Sequence, residues 1–485
     1  MSVRALTILE ISQKQAYIFA SNKLKENITN SANIAWILSA DYFSQKVADD
    51  SIFSEEKNLV YAGGGHTVLT FETKSQAVDF TKRITMQIHK EYPQIELFAK
   101  TLEYDETKTP GENLKELTRQ LEKKKSIRRA AFHQGSFGVE KMDGEGNFCL
   151  NIEKVKIPQA EERIDQALSA EHAGYKRVYY FSELGGSKDK SNFIAVVHID
   201  GNAMGKRVEN LYRKNEDADW DTYRGKLKKF SESIDKDFKA AYKDMVDVVI
   251  KNMQANKLDK LDLKEKKFPV RRVITAGDDI CFVAEGRIGI ECAKEFIKAL
   301  SKKQNAEDKE GYAACAGVAV IHQKYPFYRA YELAELLCSN AKRFAAELSA
   351  DGSGKEVSAI DWHIEFGEMG DTLEEIRENY QIEGDGTEKG ALILRPYIIE
   401  APEIIMKSMP DRQYEAFRAF EKRLQSNEIA YAKGKMKRLR NVLKQGKKET
   451  ELFLRFNKIE ELILREEETM LFDAIELMDT FIPLE

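Results

Sequence analysis

Three aspartates stand where short apolar segments of the sequence end. Asp200 follows the apolar residues 193–199, and Asp278 with Asp279 forms the turn between two further apolar segments. Nucleotidyl transfer builds charge on both the attacking and the leaving oxygen at an α-phosphate, and two divalent ions about 3.5–4 Å apart can stabilise both oxygens. Mg²⁺ (or Mn²⁺) in such a site needs carboxylates that converge from different strands. The three aspartates therefore predict metal-dependent phosphoryl chemistry, with all three as catalytic residues and metal ligands.

Other residues near these aspartates are candidates for nucleotide binding. Glycine allows the backbone to come close to phosphates, and a lysine ammonium can meet triphosphate charge as a point cation. The candidates in this part of the chain are Gly201, Asn202, Gly205, Lys206, Gly277, Lys342 and Lys355. For each lysine, a solvated position on a helix or in a loop remains the alternative.

The Gly277-Asp278-Asp279 triplet is weak on its own, because aspartate is common in ordinary β-turns. Its placement is more informative. A strand that ends in an acid, an intervening helix and a hairpin with two acids at its tip occur together, and the first half of the chain repeats this layout without the acids. This joint placement favours a functional site.

The elements that position the aspartates follow the order β-α-β-β-α-β. Residues 193–199 are almost all apolar, which is typical of a strand covered on both faces. A long charged helical region, the acidic hairpin, a helix at 288–302 and a strand at 312–321 follow. This order is that of a ferredoxin-like or palm domain. A helix at residues 327–348 and a last strand at 357–366 complete the prediction.

The first half of the sequence repeats this order, which indicates a duplication. A strand at residues 3–11 precedes a helical stretch and a hairpin whose turn is glycine-rich. Aligned hairpin on hairpin, Gly65 and His66 take the places of Asp278 and Asp279, so the first palm is predicted to be acid-free. The nucleotide-binding candidates of this palm are Gly63, Gly64, Gly65 and His66. A hairpin histidine without a role is the alternative for His66.

These patterns predict an α+β fold with two ferredoxin-like palm domains of the GGDEF or cyclase type and a helical C-terminal domain. The predicted boundaries are residues 1–140 for the first palm, 141–190 for a linker or small inter-palm element, 191–370 for the catalytic palm and 371–485 for the helical domain. A chain of 485 residues exceeds what one hydrophobic core usually serves, so several domains are expected.

The composition narrows the classes of protein. Hydrophobic residues make up 42% of the chain, enough for real cores, and the formal net charge of −5 argues against a protein whose whole surface binds nucleic acid. The first residues do not form a signal peptide and no apolar run is long enough to span a bilayer, so we expect a cytoplasmic protein without membrane contact. Five cysteines without C-x-x-C spacing predict reduced thiols, no disulfide and no bound zinc.

Several motifs resemble the large subunit of type III CRISPR effector complexes, the Csm/Cmr-type CRISPR polymerase family. Residues 198–206, HIDGNAMGK, are similar to the strand end D-G-[ND]-x-M-G of that family, and residues 276–279, AGDD, are similar to its G-G-D-D hairpin. Residues 10–19 and 61–65 resemble the degenerate palm of the family. The resemblance covers most of residues 1–366, and the C-terminal helices fit the last domain of the family only in general terms.

The resemblance implies an enzyme that condenses ATP into cyclic oligoadenylate second messengers in antiviral defence. The acidic palm would be catalytic, the other palm would hold a second nucleotide, and Ile199, next to Asp200, is also assigned to the metal site. Expected partners are ATP and, through the C-terminal helices, CRISPR effector subunits or RNA. Three departures are a missing N-terminal nuclease domain, a missing four-cysteine zinc element and Ala276 in place of the first hairpin glycine. We therefore expect a compact form with cyclase activity and without DNA cleavage.

Two other functions stay open. The first is a non-catalytic palm-derived scaffold that binds RNA or proteins through its C-terminal helices, where the basic residues are Lys433, Lys435, Lys437, Arg438, Arg440, Lys444, Lys447 and Lys448. These residues are also consistent with the solvated face of an amphipathic helix. The second is a mono- or dinucleotide cyclase of the GGDEF or adenylyl-cyclase type, which uses the same two-metal logic. The identity of the product distinguishes these functions.

Overall fold

The computed structural model describes most of the chain. The described residues are 5–47, 49, 51–127, 141–142, 148–149, 174–184, 192–263, 266–365, 372–382, 390–425, 433–459 and 470–485. The predicted linker, residues 141–190, lies largely outside them, and its domain boundaries stay a prediction. Within the described ranges, no helix is both long enough and apolar enough to cross a bilayer.

The first palm contains a four-stranded antiparallel sheet. Its strands are β1 (Ala5–Ile11), β2 (Leu59–Gly63), β3 (His66–Phe71) and β4 (Leu97–Glu103), and its helices are α1 (Lys14–Ile18), α2 (Leu24–Ile37), α3 (Ala40–Val47), α4 (Glu55–Asn58), α5 (Lys74–Glu91) and α6 (Pro110–Ser126). The strand order is β2-β3-β1-β4. Thr73 and Thr109 start α5 and α6 with capping boxes, in which the threonine oxygen accepts a backbone N–H that the helix itself cannot satisfy.

The second palm provides most of a six-stranded sheet. Its strands are β7 (Phe193–Gly201), β8 (Val270–Ala276), β9 (Asp279–Glu285), β10 (Ala314–His322) and β11 (Ser358–Ile364), and its helices are α7 (Met204–Arg213), α8 (Trp220–Gln254), α9 (Gly289–Ser301) and α10 (Phe327–Leu348). Between the palms, β5 (Lys141–Met142) pairs with β6 (Phe148–Cys149). The six-stranded sheet has the order β12-β11-β10-β7-β9-β8, with β12 added from the C-terminal region.

The two palms share one topology. In both, the first strand of the β-α-β-β-α-β unit lies between the third and the fourth, and the second strand is at the edge. This is the ferredoxin-like order, so the predicted α+β palm fold is confirmed. Apolar strands form the centre of the second sheet because helices cover both of its faces: β7 is buried along nearly its whole length.

The C-terminal region is mainly helical. Its elements are α11 (Leu373–Glu378), β12 (Tyr397–Glu400), α12 (Glu403–Ser408), α13 (Tyr414–Leu424), α14 (Lys433–Leu443), α15 (Lys447–Asn457) and α16 (Leu471–Leu477). The described residues of the predicted helical region also include strand β12, which pairs antiparallel with β11. Its β-branched residues cover a sheet edge whose backbone groups would otherwise be unpaired.

The palms pack against each other through a shared core. One cluster of buried apolar side chains combines Ile8 of the first sheet with Val197 of the second and Leu227 of the long helix α8. From the same helix, the Arg224 guanidinium donates to the Leu59 carbonyl oxygen at 2.9 Å. Four cysteines of the described residues, Cys281, Cys292, Cys315 and Cys338, are free and buried.

Candidate functional site

The three predicted aspartates lie together at one end of the second sheet. Strands β7 and β9 are antiparallel neighbours, and Asp200 pairs directly with Asp279. The Gly201 N–H donates to the Asp278 carbonyl oxygen at 3.2 Å. Since cross-strand partners have Cβ atoms only about 5 Å apart, the carboxylates converge as the sequence predicted.

The hairpin turn that carries two of these acids depends on one glycine. Gly277 has φ +66°, in the left-handed region that glycine adopts without strain. Ala276, which replaces the first glycine of the family motif, is the last residue of β8 and pairs with Asp279. Extended backbone accepts a side chain, so alanine fits this position without altering the turn.

Gly201 brings the two strands into close approach. A Cβ at this position would lie 3.0 Å from the Cβ of Asp278 and 2.8 Å from the methyl group of Met204. Both distances are tighter than ordinary carbon contacts. The glycine that follows Asp200 is therefore required for packing against the acidic hairpin.

Lys342 neutralises one of the three aspartates. Its ammonium lies 2.5 Å from Asp200 Oδ2 and donates to the Gly201 carbonyl oxygen at 3.0 Å. Burial acts to lower the pKa of Lys342, but the Asp200 carboxylate outweighs burial and the pKa is raised. The predicted nucleotide-binding lysine is thus at the site, paired with an acid.

Among the residues that the structure describes, neither hairpin aspartate has an ion pair with a lysine or an arginine, and both are repelled by the charge of Asp200. Burial, followed by the charge of Asp200, raises the pKa of Asp278 to about 6. The same two causes raise the pKa of Asp279 to about 7. Acids held together against their charge are frequent at functional sites, because a bound cation or substrate relieves the repulsion.

His198 is a site residue that sequence reasoning missed. Its Nδ1 lies 3.5 Å from Asp279 Oδ1, and neither buried atom has a hydrogen-bond partner among the described residues. Burial lowers the pKa of His198. One signal was available: His198 stands two residues before Asp200, and alternate residues of a strand share a face.

The chemistry of these residues suits a divalent cation, although their side chains are not spaced as in a formed metal site. In the described part of the chain, no group of three or more His, Cys, Asp and Glu side chains has metal-binding spacing. The three aspartates nevertheless offer the hard oxygen donors that such a cation prefers, and Asp279 Oδ1 has no hydrogen-bond partner among the described residues. A bound cation would also relieve the repulsion that raises the pKa values of Asp278 and Asp279. Ile199 is fully buried between its neighbours, so only its backbone carbonyl is available to a metal.

The remaining candidates of the second palm lie on the helix and loop beside the aspartates. The buried Asn202 amide donates to the carbonyl oxygens of Gly354 and Val357 at 3.0 and 2.8 Å, so it holds the loop in place. Lys206 pairs with the loop residue Asp351 at 3.1 Å. Gly205 and Lys355 are exposed.

The first palm reproduces the local geometry of the second. Glu10 pairs with His66 as Asp200 pairs with Asp279. The Ile11 N–H donates to the Gly65 carbonyl oxygen at 3.1 Å, which corresponds to the bond from Gly201 to Asp278. The first palm is therefore not acid-free: the hairpin acids are replaced, but Glu10 occupies the position of Asp200. The alignment of hairpins alone missed it, because this residue is on the preceding strand.

The acid in the first palm also has a matching lysine. Lys125 lies 2.7 Å from Glu10 Oε1 and is the sixteenth residue of α6, as Lys342 is of α10. His66 Nε2 is 3.2 Å from the Tyr61 hydroxyl, and burial lowers the pKa of His66. The turn at Gly63, Gly64 and Gly65 thus stands beside a duplicated acid–lysine pair.

The basic cluster near the C-terminus lies on α14 and α15. Buried Met436 and Leu439 anchor α14, as expected for an amphipathic helix. Lys433 and Lys437 both pair with Asp479. Part of the cluster therefore has internal partners.

The comparisons with known proteins agree with this geometry. Residues 193–347 match the family model described as Cas10/Cmr2, second palm domain. No curated protein sequence matches the chain.

Solved structures of Csm1 proteins have a similar fold. A Csm1-Csm4 cassette in complex with pppApApA is 14% identical, with a TM-score of 0.56 over 100% of this chain and 70% of that chain. The same cassette type in complex with cA4 is 12% identical, with a TM-score of 0.54 over 99% and 70%. Csm1 in T.onnurineus is 13% identical, with a TM-score of 0.55 over 99% and 70%.

At these identities the likeness shows a shared fold. The chain spans only part of its relatives: 70% of the chains above and 54% of the matched chain in a cassette in complex with cA3. The motifs quoted from the sequence, the family match and the repeated palm topology agree with one another. Residues 193–347 of this Cas10-like chain are therefore similar to the second palm domain of the Cas10/Cmr2 family.

Proposed function

We propose that this protein is a metal-dependent nucleotidyltransferase that condenses ATP into a cyclic oligoadenylate-type second messenger in CRISPR-linked defence. The observation that carries the proposal is the convergence of Asp200, Asp278 and Asp279 within the matched palm domain. Related folds support the substrate class, since similar Csm1-Csm4 cassettes were solved in complex with pppApApA and with cA4.

The role of each residue follows from its position. Asp200, Asp278 and Asp279 would hold Mg²⁺ or Mn²⁺, with the Ile199 carbonyl beside them. When bound, the cations would supply charge that stabilises the attacking and leaving oxygens. Lys342, which pairs with Asp200, would supply its ammonium charge to the triphosphate oxygens. His198, whose Nδ1 lies 3.5 Å from Asp279 Oδ1, would help to orient this carboxylate.

The first palm would hold the second nucleotide. Support comes from its repeated topology and from the retained pair of Glu10 and Lys125. The turn at residues 63–65 offers backbone amides, and His66 offers a ring for base or ribose. Without the hairpin acids this palm would bind rather than catalyse.

The test is incubation of the purified chain with each nucleoside triphosphate and Mg²⁺ or Mn²⁺, followed by mass spectrometry. Linear or cyclic oligoadenylates support the proposal. A mononucleotide or dinucleotide cycle would instead assign the protein to the GGDEF or adenylyl-cyclase type. The reaction is repeated with Csm4-type subunits and RNA, because similar chains occur in Csm1-Csm4 cassettes.

A non-catalytic scaffold is the second candidate. Two observations favour it. Lys342 already neutralises Asp200, and the described residues contain no group of His, Cys, Asp or Glu side chains with the spacing of a metal site. A scaffold would bind its partners unchanged when the aspartates are replaced, and would turn over no nucleotide under any of these conditions.

A further inference from the structure

Lys14 stands at a position where the two palms differ in charge. Residues Gln13 and Ala203 both have positive φ, 51° and 58°, and each precedes a helix, α1 and α7 respectively. The first residue of that helix is Lys14 in one palm and Met204 in the other. Since Gly65 occupies the position of Asp278, the first palm has gained a cation and lost an anion at its turn.

The glycine turn accommodates this lysine. A Cβ on Gly65 would lie 2.2 Å from Lys14 Cδ, so the stem of the lysine crosses the turn in space that a side chain at residue 65 would occupy. The ammonium donates to the Gly64 carbonyl oxygen. An ammonium has three N–H donors, and this bond uses one of them. The side chain is half-buried, so its charged end remains accessible to a ligand.

Helix α1 and the residue after it, Phe19, contact helix α10 of the other palm. The Phe19 ring lies 4.2 Å from Tyr331 of α10. The Tyr331 ring in turn lies 5.5 Å from that of His198, which approaches Asp279. The Gln15 amide reaches Glu335 of the same helix at 3.5 Å.

Lys14 therefore lies on the element of the first palm that contacts α10, and Lys342 of the same helix α10 pairs with Asp200. This packing brings a cation of one palm to the side of the second palm that carries the carboxylates.

We propose that Lys14 binds phosphate oxygens of the nucleotide held at Asp200, Asp278 and Asp279, so that the first palm contributes a residue to the site of the second. This inference rests on the proposed function for the identity of the ligand. A triphosphate held at the aspartates would meet Lys14, which supplies a positive charge that Met204, its counterpart in the second palm, cannot. Catalysis would then depend on how the two palms are packed.

The experiment measures binding of α,β-methylene-ATP, which cannot release pyrophosphate, by calorimetry with Mg²⁺. Lys14→Met keeps the stem and removes the charge, and it should weaken binding about 10-fold or more, as expected for a lost charge-assisted hydrogen bond. Lys14→Arg should stay within about threefold of the parent, because it keeps a cation. Lys82→Met, at an exposed lysine of the same palm, is the matched control and should bind as the parent does.

Two comparisons separate this role from a structural one. Adenosine, which has no phosphate, should bind the parent and Lys14→Met equally, and an equal loss for both ligands overturns the inference. In an Asp278→Ala, Asp279→Ala background the effect of Lys14→Met should disappear. If it persists in full there, Lys14 serves the nucleotide of its own palm and the inference is wrong.

The failure of the proposed function looks different. If the parent binds no nucleotide, the proposed function and the inference fall together. If the parent binds and turns over ATP but Lys14→Met binds as the parent does, only the inference falls.

Discussion

Replacing Asp279 by asparagine in EDTA should stabilise the protein, and the gain should grow with pH. Burial and the charge of Asp200 raise the pKa of Asp279 to about 7, whereas the pKa of an aspartate in an unfolded chain is about 3.9. Between these values the folded protein binds more protons than the unfolded chain, so the free energy of unfolding falls as the pH rises. This loss of stability is complete above the pKa of Asp279 in the folded state. Asparagine cannot ionise, so the Asp279→Asn variant does not lose stability in this way.

The magnitude follows from the two pKa values. A difference of about 3 corresponds to about 4 kcal/mol at ~1.4 kcal/mol for each pH unit. The Asp279 side chain is 36% exposed, and solvent screening reduces the expected gain to about 1–2 kcal/mol. At about 2.1 cal/mol/K of unfolding entropy per residue, such a gain raises the melting temperature of a 485-residue chain by about 1–2 °C.

The assay is a series of thermal melts in EDTA from pH 5 to pH 8. We expect Asp279→Asn to exceed the parent by the full amount at pH 8 and by less than half of it at pH 5. Asp351→Asn is the control, because hydrogen bonds from Ser353 and Lys206 lower the pKa of that exposed aspartate and give the opposite sign. Equal melting temperatures of Asp279→Asn and the parent at every pH would show that the clustered acids do not destabilise the folded protein, and would refute this reasoning.

Three further predictions concern packing, charge and metal content. Gly201→Ala should lower the free energy of unfolding by about 1–3 kcal/mol through overpacking against Asp278. Gly225→Ala should not, because there is open space around that residue. Chemical denaturation curves that are equal for Gly201→Ala and the parent would contradict this. Arg395→Met should cost about 3–5 kcal/mol, because it leaves two buried acidic partners without a cation, and a calorimetric melting temperature like that of the parent would argue against it. Elemental analysis should find no zinc, and about one zinc per chain would overturn the reading of the cysteines.

The sequence predicted the order of elements and the acidic site because both are locally encoded. Apolar strands show as continuous runs, and the acids that end them need only strand adjacency to meet. Asp200, Asp278 and Asp279 therefore come together as expected. The bounds of α10, Phe327–Leu348, also agree with the prediction, since a proline marks its start.

What the sequence did not predict depends on register and on distant partners. Glu10 corresponds to Asp200 only when the pairing of two sheets is compared, because the flanking residues differ. Asn202 looked like a ligand-binding residue, yet its amide holds a loop more than 150 residues away. Strand β12 is too short to give a periodic signal, and the free edge of β11 determines its conformation.

In the proposed function, the aspartates of the second palm hold the cations for nucleotidyl transfer from ATP. The most direct measurement is the yield of ATP-derived product, by mass spectrometry, from the parent, from Asp278→Ala with Asp279→Ala, and from His66→Ala. Losing one preorganised electrostatic contact commonly costs a factor of about 10²–10³ in rate, so the double variant should give no detectable product while its melting temperature in EDTA equals or exceeds that of the parent. His66→Ala should lose affinity for one nucleotide at most. Full turnover by the double variant would contradict the account.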